Sequence, residues 1–231
     1  MRKLVVLVLL AAAVGLAAAI LLRQGGKSTP AVAPPRVVSH LAPGVVPRAG
    51  IYRYAQSGYE QAKAGPITIR RRFPATGLLV VSGSGHVVQQ EWRYSKQHLE
   101  AIRERVTPEG SYVVWQRTRL TMVVTQDEAH AATPATLTVP SRLHVGQRWV
   151  QSYRVGGVHS VSRNRVTGRC GNGCYVVVAD STVTGAHPGT ERDVTWENPT
   201  TGVTLRETID RRIGGTFPYR MQLTLRLLGK A

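Results

Sequence analysis

The sequence predicts an all-β fold: an antiparallel meander of about ten strands forming a barrel or half-barrel, preceded by one N-terminal transmembrane helix. Three observations carry this expectation. Residues 4–22 are an unbroken apolar run (LVVLVLLAAAVGLAAAILL), with Arg2 and Lys3 before it and Arg23 after it. Residues 49–231 alternate apolar and polar side chains in runs bounded by Gly, Pro, Asn and Asp, as half-buried strands do. Helical periodicity is scarce across the same residues.

At about 1.5 Å per residue the run 4–22 makes a helix of about 28 Å, close to the hydrocarbon thickness of a bilayer. It reads as a signal anchor, with residues 1–3 a short cytoplasmic N-terminus and a cleaved signal peptide as the alternative. The best small-residue cleavage site, Ala17-Ala18-Ala19, lies inside the apolar run, because Ile20, Leu21 and Leu22 follow it, and this favours the anchor. The expected location is therefore the cell membrane, single-pass with an extracytoplasmic C-terminal domain, or secreted if the segment is removed. Residues 23–48 contain Pro30, Pro34, Pro35, Pro43 and Pro47 and no acidic residue. Proline removes a backbone donor and fixes φ, so this segment reads as a linker.

In the remaining domain, 49–231, strands are expected at 50–57, 66–73, 78–82, 87–94, 111–124, 147–155, 159–168, 174–184, 192–197, 203–211 and 219–228. Residues 96–106 are ambiguous. Leu99, Ile102 and Val106 stand at helical spacing, but the stretch closes in Thr107-Pro108-Glu109-Gly110, a turn with proline at its second position. Strand is preferred, since the meander then continues without interruption. Asn198-Pro199-Thr200-Thr201-Gly202 is a hairpin turn in which proline presets φ and glycine accepts a positive one. Short connections make sequential strands neighbours, and a sheet this wide tends to curl and close. A two-sheet sandwich is the alternative.

Several of these motifs also support a resemblance. Gly50, Tyr52 and Tyr54 open the domain; Trp196, Pro199, Thr201, Gly202 and Arg206 form a hairpin; and Leu227 and Leu228 close the last strand. In these positions the chain resembles uncharacterised secreted or membrane-anchored β-rich proteins of actinobacteria, which look distantly like the half-open β-barrels of periplasmic lipoprotein carriers. The resemblance implies an extracytoplasmic barrel and carries over no catalytic residue.

Cys170 and Cys174 flank Gly-Asn-Gly and are the two cysteines of the chain. Two cysteines without a histidine at ligand spacing do not complete a zinc site, so a disulfide across a hairpin tip is expected. The domain's histidines stand apart on separate elements and form no local metal motif, and no cofactor is expected. Val81-Ser82-Gly83-Ser84-Gly85-His86 lacks both glycines of a nucleophile elbow centred on Ser84 and reads as a flexible turn. Glu191 and Asp193 fall on one strand face, as do Glu91 and Arg93, and are read as solvated ion pairs.

Charge is the most informative feature. The chain carries 30 Lys+Arg against 13 Asp+Glu, a net +17, and residues 49–231 retain 24 basic against 13 acidic residues, or +11. Arginines recur at i, i+2 in Arg70 and Arg72, Arg103 and Arg105, Arg117 and Arg119, and Arg163 and Arg165. In a strand this spacing puts each pair on one face, where it attracts a polyanion or an anionic membrane surface. Nucleic acid is a poor candidate partner: an exported domain rarely meets it, and the four tryptophans sit in alternating runs where core packing is the common use.

The expected function is non-catalytic. A curved sheet binds an apolar or lipid ligand, with Val176, Leu205, Met221 and Leu223 as candidate contacts. The alternative is an interaction domain that docks on anionic envelope polymers or lipid headgroups through its arginine faces. Beyond the membrane reached through the N-terminal helix, the sequence leaves the partner and the oligomeric state open.

Overall fold

Successive hairpins turn the chain into one continuous antiparallel sheet. The computed structural model describes residues 47–231 and contains thirteen strands: β1 (Gly50–Ala64), β2 (Ile67–Arg72), β3 (Thr76–Ser84), β4 (Val87–Ser95), β5 (His98–Thr107), β6 (Gly110–Thr121), β7 (Thr125–Pro140), β8 (Arg148–Val155), β9 (Val158–Cys170), β10 (Cys174–Gly185), β11 (Gly189–Asn198), β12 (Val203–Ile213) and β13 (Tyr219–Lys230). The helix expected at 4–22, and the linker up to residue 46, lie outside the described residues. No helix among the described residues is long and apolar enough to cross a membrane.

Strand neighbours follow chain order from β3 to β13, and β13 returns to pair with β1, from Tyr52↔Lys230 to Ala62↔Tyr219. The ring is closed. It corrects the half-barrel and sandwich alternatives and raises the expected strand number from about ten to twelve in the ring plus β2. That extra strand shares one edge of β1. Gly50–Ala55 of β1 faces β3, whereas Tyr59–Ala64 faces β2.

The exchange of partners happens at Gly58. Its φ of +137° is rarely adopted by other residues, and a Cβ there would stand 2.0 Å from the carbonyl oxygen of Gln222. Elsewhere the hairpins are tight. Val155 pairs with Val158 across Gly156 and Gly157, both at positive φ (51° and 81°), as a two-residue turn matched to strand twist demands. The ambiguous 96–106 region is strand β5, paired to β4 and β6.

β7 was not anticipated. Its sequence, TQDEAHAATPATLTVP, has no apolar alternation because much of both its faces is exposed. It also forms the weakest junction of the ring, with Thr133↔Arg154 as its one residue pair to β8. Side chains carry the rest of that contact. Trp149 Nε1 and Gln151 Nε2 both donate to the carbonyl of Thr138, at 3.1 and 2.9 Å, and the Ser152 amide donates to Thr136 Oγ1 at 3.2 Å.

Inward side chains of β1, β3, β4, β12 and β13 build the core. Tyr54, Leu79, Met221 and Leu225 are essentially inaccessible, and Val81, Val88, Ile209 and Leu223 pack with them. Each such side chain contributes about 1.5–3 kcal/mol by leaving water. Eight strands enclose a space that side chains just fill, so twelve leave some over. The apolar cluster takes up the space on the β1–β13 side.

Gly58→Ala is expected to lower stability by about 2–4 kcal/mol, because the strand exchange needs both the positive φ and the close approach of β13. Thermal unfolding of the variant beside the wild-type protein checks this, and an unchanged midpoint would contradict it.

Candidate functional site

Opposite the apolar core the barrel holds a cavity of about 590 Å³. Its lining mostly follows the two-residue period of the strands and mixes apolar side chains with many polar ones. Carboxylates come from β5 (Glu100, Glu104), β7 (Glu128), β11 (Glu191, Asp193, Glu197) and β12 (Glu207). Aromatic faces come from Trp92, Trp149, Tyr153, Phe217 and Tyr219. Glu128 and His130, at 53% and 44% exposure, mark the side open to solvent. Thus seven of the chain's 13 acidic residues line the interior of a strongly basic protein, while most of its arginines point outward.

A polar chain crosses the barrel beside the cavity. Arg71 Nε donates to Glu60 at 2.8 Å, the other oxygen of Glu60 lies 3.0 Å from His98 Nδ1, and the Tyr219 hydroxyl donates to that same oxygen at 3.0 Å. His98 Nε2 lies 3.1 Å from Glu100. Arg211 then donates to both Glu100 and Glu191. Five strands, β2, β1, β5, β12 and β11, are thereby joined through charged groups. Burial pulls the imidazole of His98 down, but its hydrogen bonds to Glu100 and Glu60 outweigh that and hold it above its ordinary value. Burial likewise raises Glu60 and Glu100, yet His98 with Arg71, and Arg211 with His98, bring both below the usual carboxylate range.

Among the described residues, Glu104, Asp193, Glu197 and Glu207 form no ion pair. Burial pushes Glu197 up to about 7, aided by the charge of Glu104 and opposed by bonds from Thr204 and Thr195. Burial and the charges of Glu197, Glu191 and Glu100 push Glu207 up to about 8, with Arg211 opposing. Asp193 is raised well above its ordinary value by burial and by Glu191 and Glu207. Glu104 is raised by burial although Gln90 and Ser111 donate to it at 2.6 and 3.0 Å.

The structure places the sequence candidates elsewhere. Met221 and Leu223 are 0% and 2% exposed within the packed core, Val176 and Leu205 are half-buried, and none of the four borders the cavity. The arginine pairs lie on β2 (Arg70, Arg72), β5 (Arg103, Arg105), β6 (Arg117, Arg119) and β9 (Arg163, Arg165); of these four strands β5 and β6 are neighbours, with Arg103 opposite Trp115 and Arg117 opposite Ala101, and the others stand apart. Arg117 makes a two-pronged bond to Asp127 at 2.8 Å, Arg70 lies 3.8 Å over the Tyr59 ring, and Arg165 lies 3.7 Å from Asp180. Other arginines do meet: register sets Arg148 beside Arg165, Arg206 beside Arg226 and Arg212 beside Arg220.

Cys170 and Cys174 form the expected disulfide, with Cα atoms 5.1 Å apart, at the β9–β10 tip. Arg93 bonds Glu91 on the exposed face as expected, whereas Glu191 and Asp193 turn inward rather than into solvent. Comparison with protein-family models, with characterised proteins and with solved structures returns no match for this chain. The closed barrel is compatible with the barrel fold that the motif resemblance implies, and nothing beyond the fold supports a kinship with lipoprotein carriers.

Stability should depend on pH in a definite direction. Glu197 and Glu207, raised above 4.5, favour the folded state when protonated, a contribution fully present below 4.5 and lost as pH rises through about 7 and 8. His98, raised above 6.5, acts in the same direction. Glu60 and Glu100, lowered from 4.5, contribute above that value and lose their contribution in stronger acid. The melting temperature is therefore expected to peak near pH 5 and fall by pH 8.5, a loss of about 1–3 kcal/mol. A stability that rises from pH 5 to 8.5 would contradict the assignment.

Proposed function

We propose that this chain is a non-catalytic binding protein that holds a small molecule inside its barrel, with its domain facing an extracytoplasmic compartment. The cavity is the observation that carries the reading: about 590 Å³ falls within the range of sites that enclose a small organic ligand. Its composition changes the ligand expected from the sequence. Aromatic and aliphatic surface from Trp92, Trp149, Val177 and Phe217 suits an apolar body, but the carboxylates of β5, β11 and β12 do not suit a plain lipid tail. An amphipathic ligand fits both. The disulfide supports an oxidising compartment.

A second reading rests on the segregation of charge. With acidic residues turned inward, the outer wall is more basic than the composition suggests, and the cross-strand pairs Arg148 and Arg165, Arg206 and Arg226, and Arg212 and Arg220 set like charges side by side, with Asp180 3.7 Å from Arg165 and Asp210 3.5 Å from Arg212. Docking on anionic lipid headgroups or envelope polymers would satisfy these groups and is compatible with a ligand-filled lumen.

Ala179 points into the cavity, so Ala179→Trp fills space there while leaving the outer wall alone. Native mass spectrometry after incubation with an extract of small metabolites should show a bound molecule on the wild-type protein and at least about tenfold less on the variant, given retained β-sheet circular dichroism. No adduct on the wild-type protein, or equal adducts on both, would overturn the lumen as a binding site. For the second reading, flotation with phosphatidylglycerol vesicles should recover the protein at about 0.05 M salt and lose it at about 0.5 M, with phosphatidylcholine vesicles recovering little at either. Recovery that ignores lipid charge would remove it.

A further inference from the structure

We propose that the lumen takes an organic cation, a small molecule bearing an ammonium or guanidinium group, with Asp193, Glu197 and Glu207 supplying its counter-charge; this rests on the reading of the barrel as a ligand-binding protein. The register of β11 on β12 sets Glu207 opposite Thr195, so that Asp193 and Glu197 are its diagonal neighbours on the inner face. Three carboxylates thus share one stretch of wall. Among the described residues that line the cavity, the permanently charged cations are Arg211 and Arg117. Both are engaged, Arg211 by Glu100 and Glu191 and Arg117 by Asp127. The wall is therefore short of positive charge.

An independent observation points the same way. Asp193 Oδ1 is shut off from solvent and has no hydrogen-bond partner among the described residues. A buried carboxylate oxygen left unpaired costs free energy that a donor from a ligand would recover. The arrangement also selects among cations. Among the described residues no three acidic, histidine or cysteine groups come close enough to hold one metal ion, so the charge is spread along the strands rather than focused at a point. Trp92, Trp149 and Tyr153 add ring faces to the same cavity, which favour an ammonium or guanidinium with an apolar body.

Proton linkage follows. The groups facing Glu207 are Glu191, Asp193 and Glu197 of β11, Arg211 of β12, Glu100 of β5, Tyr54 of β1 and Tyr94 of β4, a set in which the acids outnumber the single cation. With Glu207 pushed up to about 8 and Glu197 to about 7, the empty lumen retains protons near neutral pH. A cation that binds there must expel them, so its affinity rises with pH while that of a neutral molecule of the same shape does not.

Isothermal titration calorimetry of the purified barrel with 2-phenylethylammonium, 2-phenylethanol and phenylacetate tests this, run at pH 7.5 in two buffers of unlike ionisation enthalpy. The ammonium should bind at least about tenfold tighter than the alcohol and release protons into the buffer, and phenylacetate should bind weakest. Asp193→Asn combined with Glu207→Gln keeps side-chain volume and removes two uncompensated acids. It should melt no lower than wild type and lose the preference for ammonium while still binding the alcohol. If that variant does not fold, proton release by the wild-type protein decides alone. Equal binding of alcohol and ammonium without proton release would overturn the cation and leave the binding reading standing. Binding of none of the three at low-millimolar concentration would overturn both.

Discussion

Closure of the ring between β1 and β13 is the constraint on which the rest depends. Twelve strands joined edge to edge leave no free edge in the ring and satisfy the backbone of every strand from both sides, apart from the β7–β8 junction, where side chains of Trp149, Gln151 and Thr136 substitute for the ladder. Closure also fixes a circumference larger than the apolar side chains of this chain can fill. An interior wider than its core has to be lined with something that tolerates water or a ligand. In this protein the lining mixes apolar and aromatic side chains with seven carboxylates.

The division of labour inside the ring follows from that surplus of space. Tyr54, Leu79, Met221 and Leu225 fill the β1–β13 side to exclusion of solvent, which supplies the favourable burial. Beside them, with Glu60 and Arg211 on either side of Met221 in register, the line from Arg71 through Glu60, His98, Glu100 and Arg211 to Glu191 ties five strands together. Each charge in that line is bonded to at least one of opposite sign, and a network of this kind specifies one arrangement. Beyond its end, Asp193, Glu197 and Glu207 lack such compensation, and burial then drives them toward the protonated form. The boundary between paired and unpaired carboxylates runs along the inner faces of β11 and β12.

Much of the fold was legible because it depends on local pattern. Alternation located most of the strands, Asn198–Gly202 marked a reversal, and Cys170 with Cys174 marked a hairpin tip. Strand β7 was not legible, since TQDEAHAATPATLTVP has polar groups toward both solvent and the lumen and so lacks the contrast that alternation needs. Closure was not legible either, because it rests on pairing between β1 and β13, at opposite ends of the domain. The site was read least well. Glu191 and Asp193 were visibly on one face, with Arg192 on the other, but composition alone treats charged residues as outward-facing. Only a ring wide enough to hold a cavity reverses that, and no short stretch of sequence reports the width of a ring. Arg211 bonding Glu100, 111 residues away, is invisible for the same reason.

Carboxylates of β11 and β12 face a lumen that does not compensate their charge. Carbon-13 NMR titration of the side-chain carboxyl groups, assigned by Glu197→Gln and Glu207→Gln, measures this directly. The account predicts midpoints near 7 for Glu197 and near 8 for Glu207, each falling when a bound cation is present. Midpoints for both within the ordinary range near 4.5 would mean that these groups are freely solvated, and the acidic lumen would be contradicted.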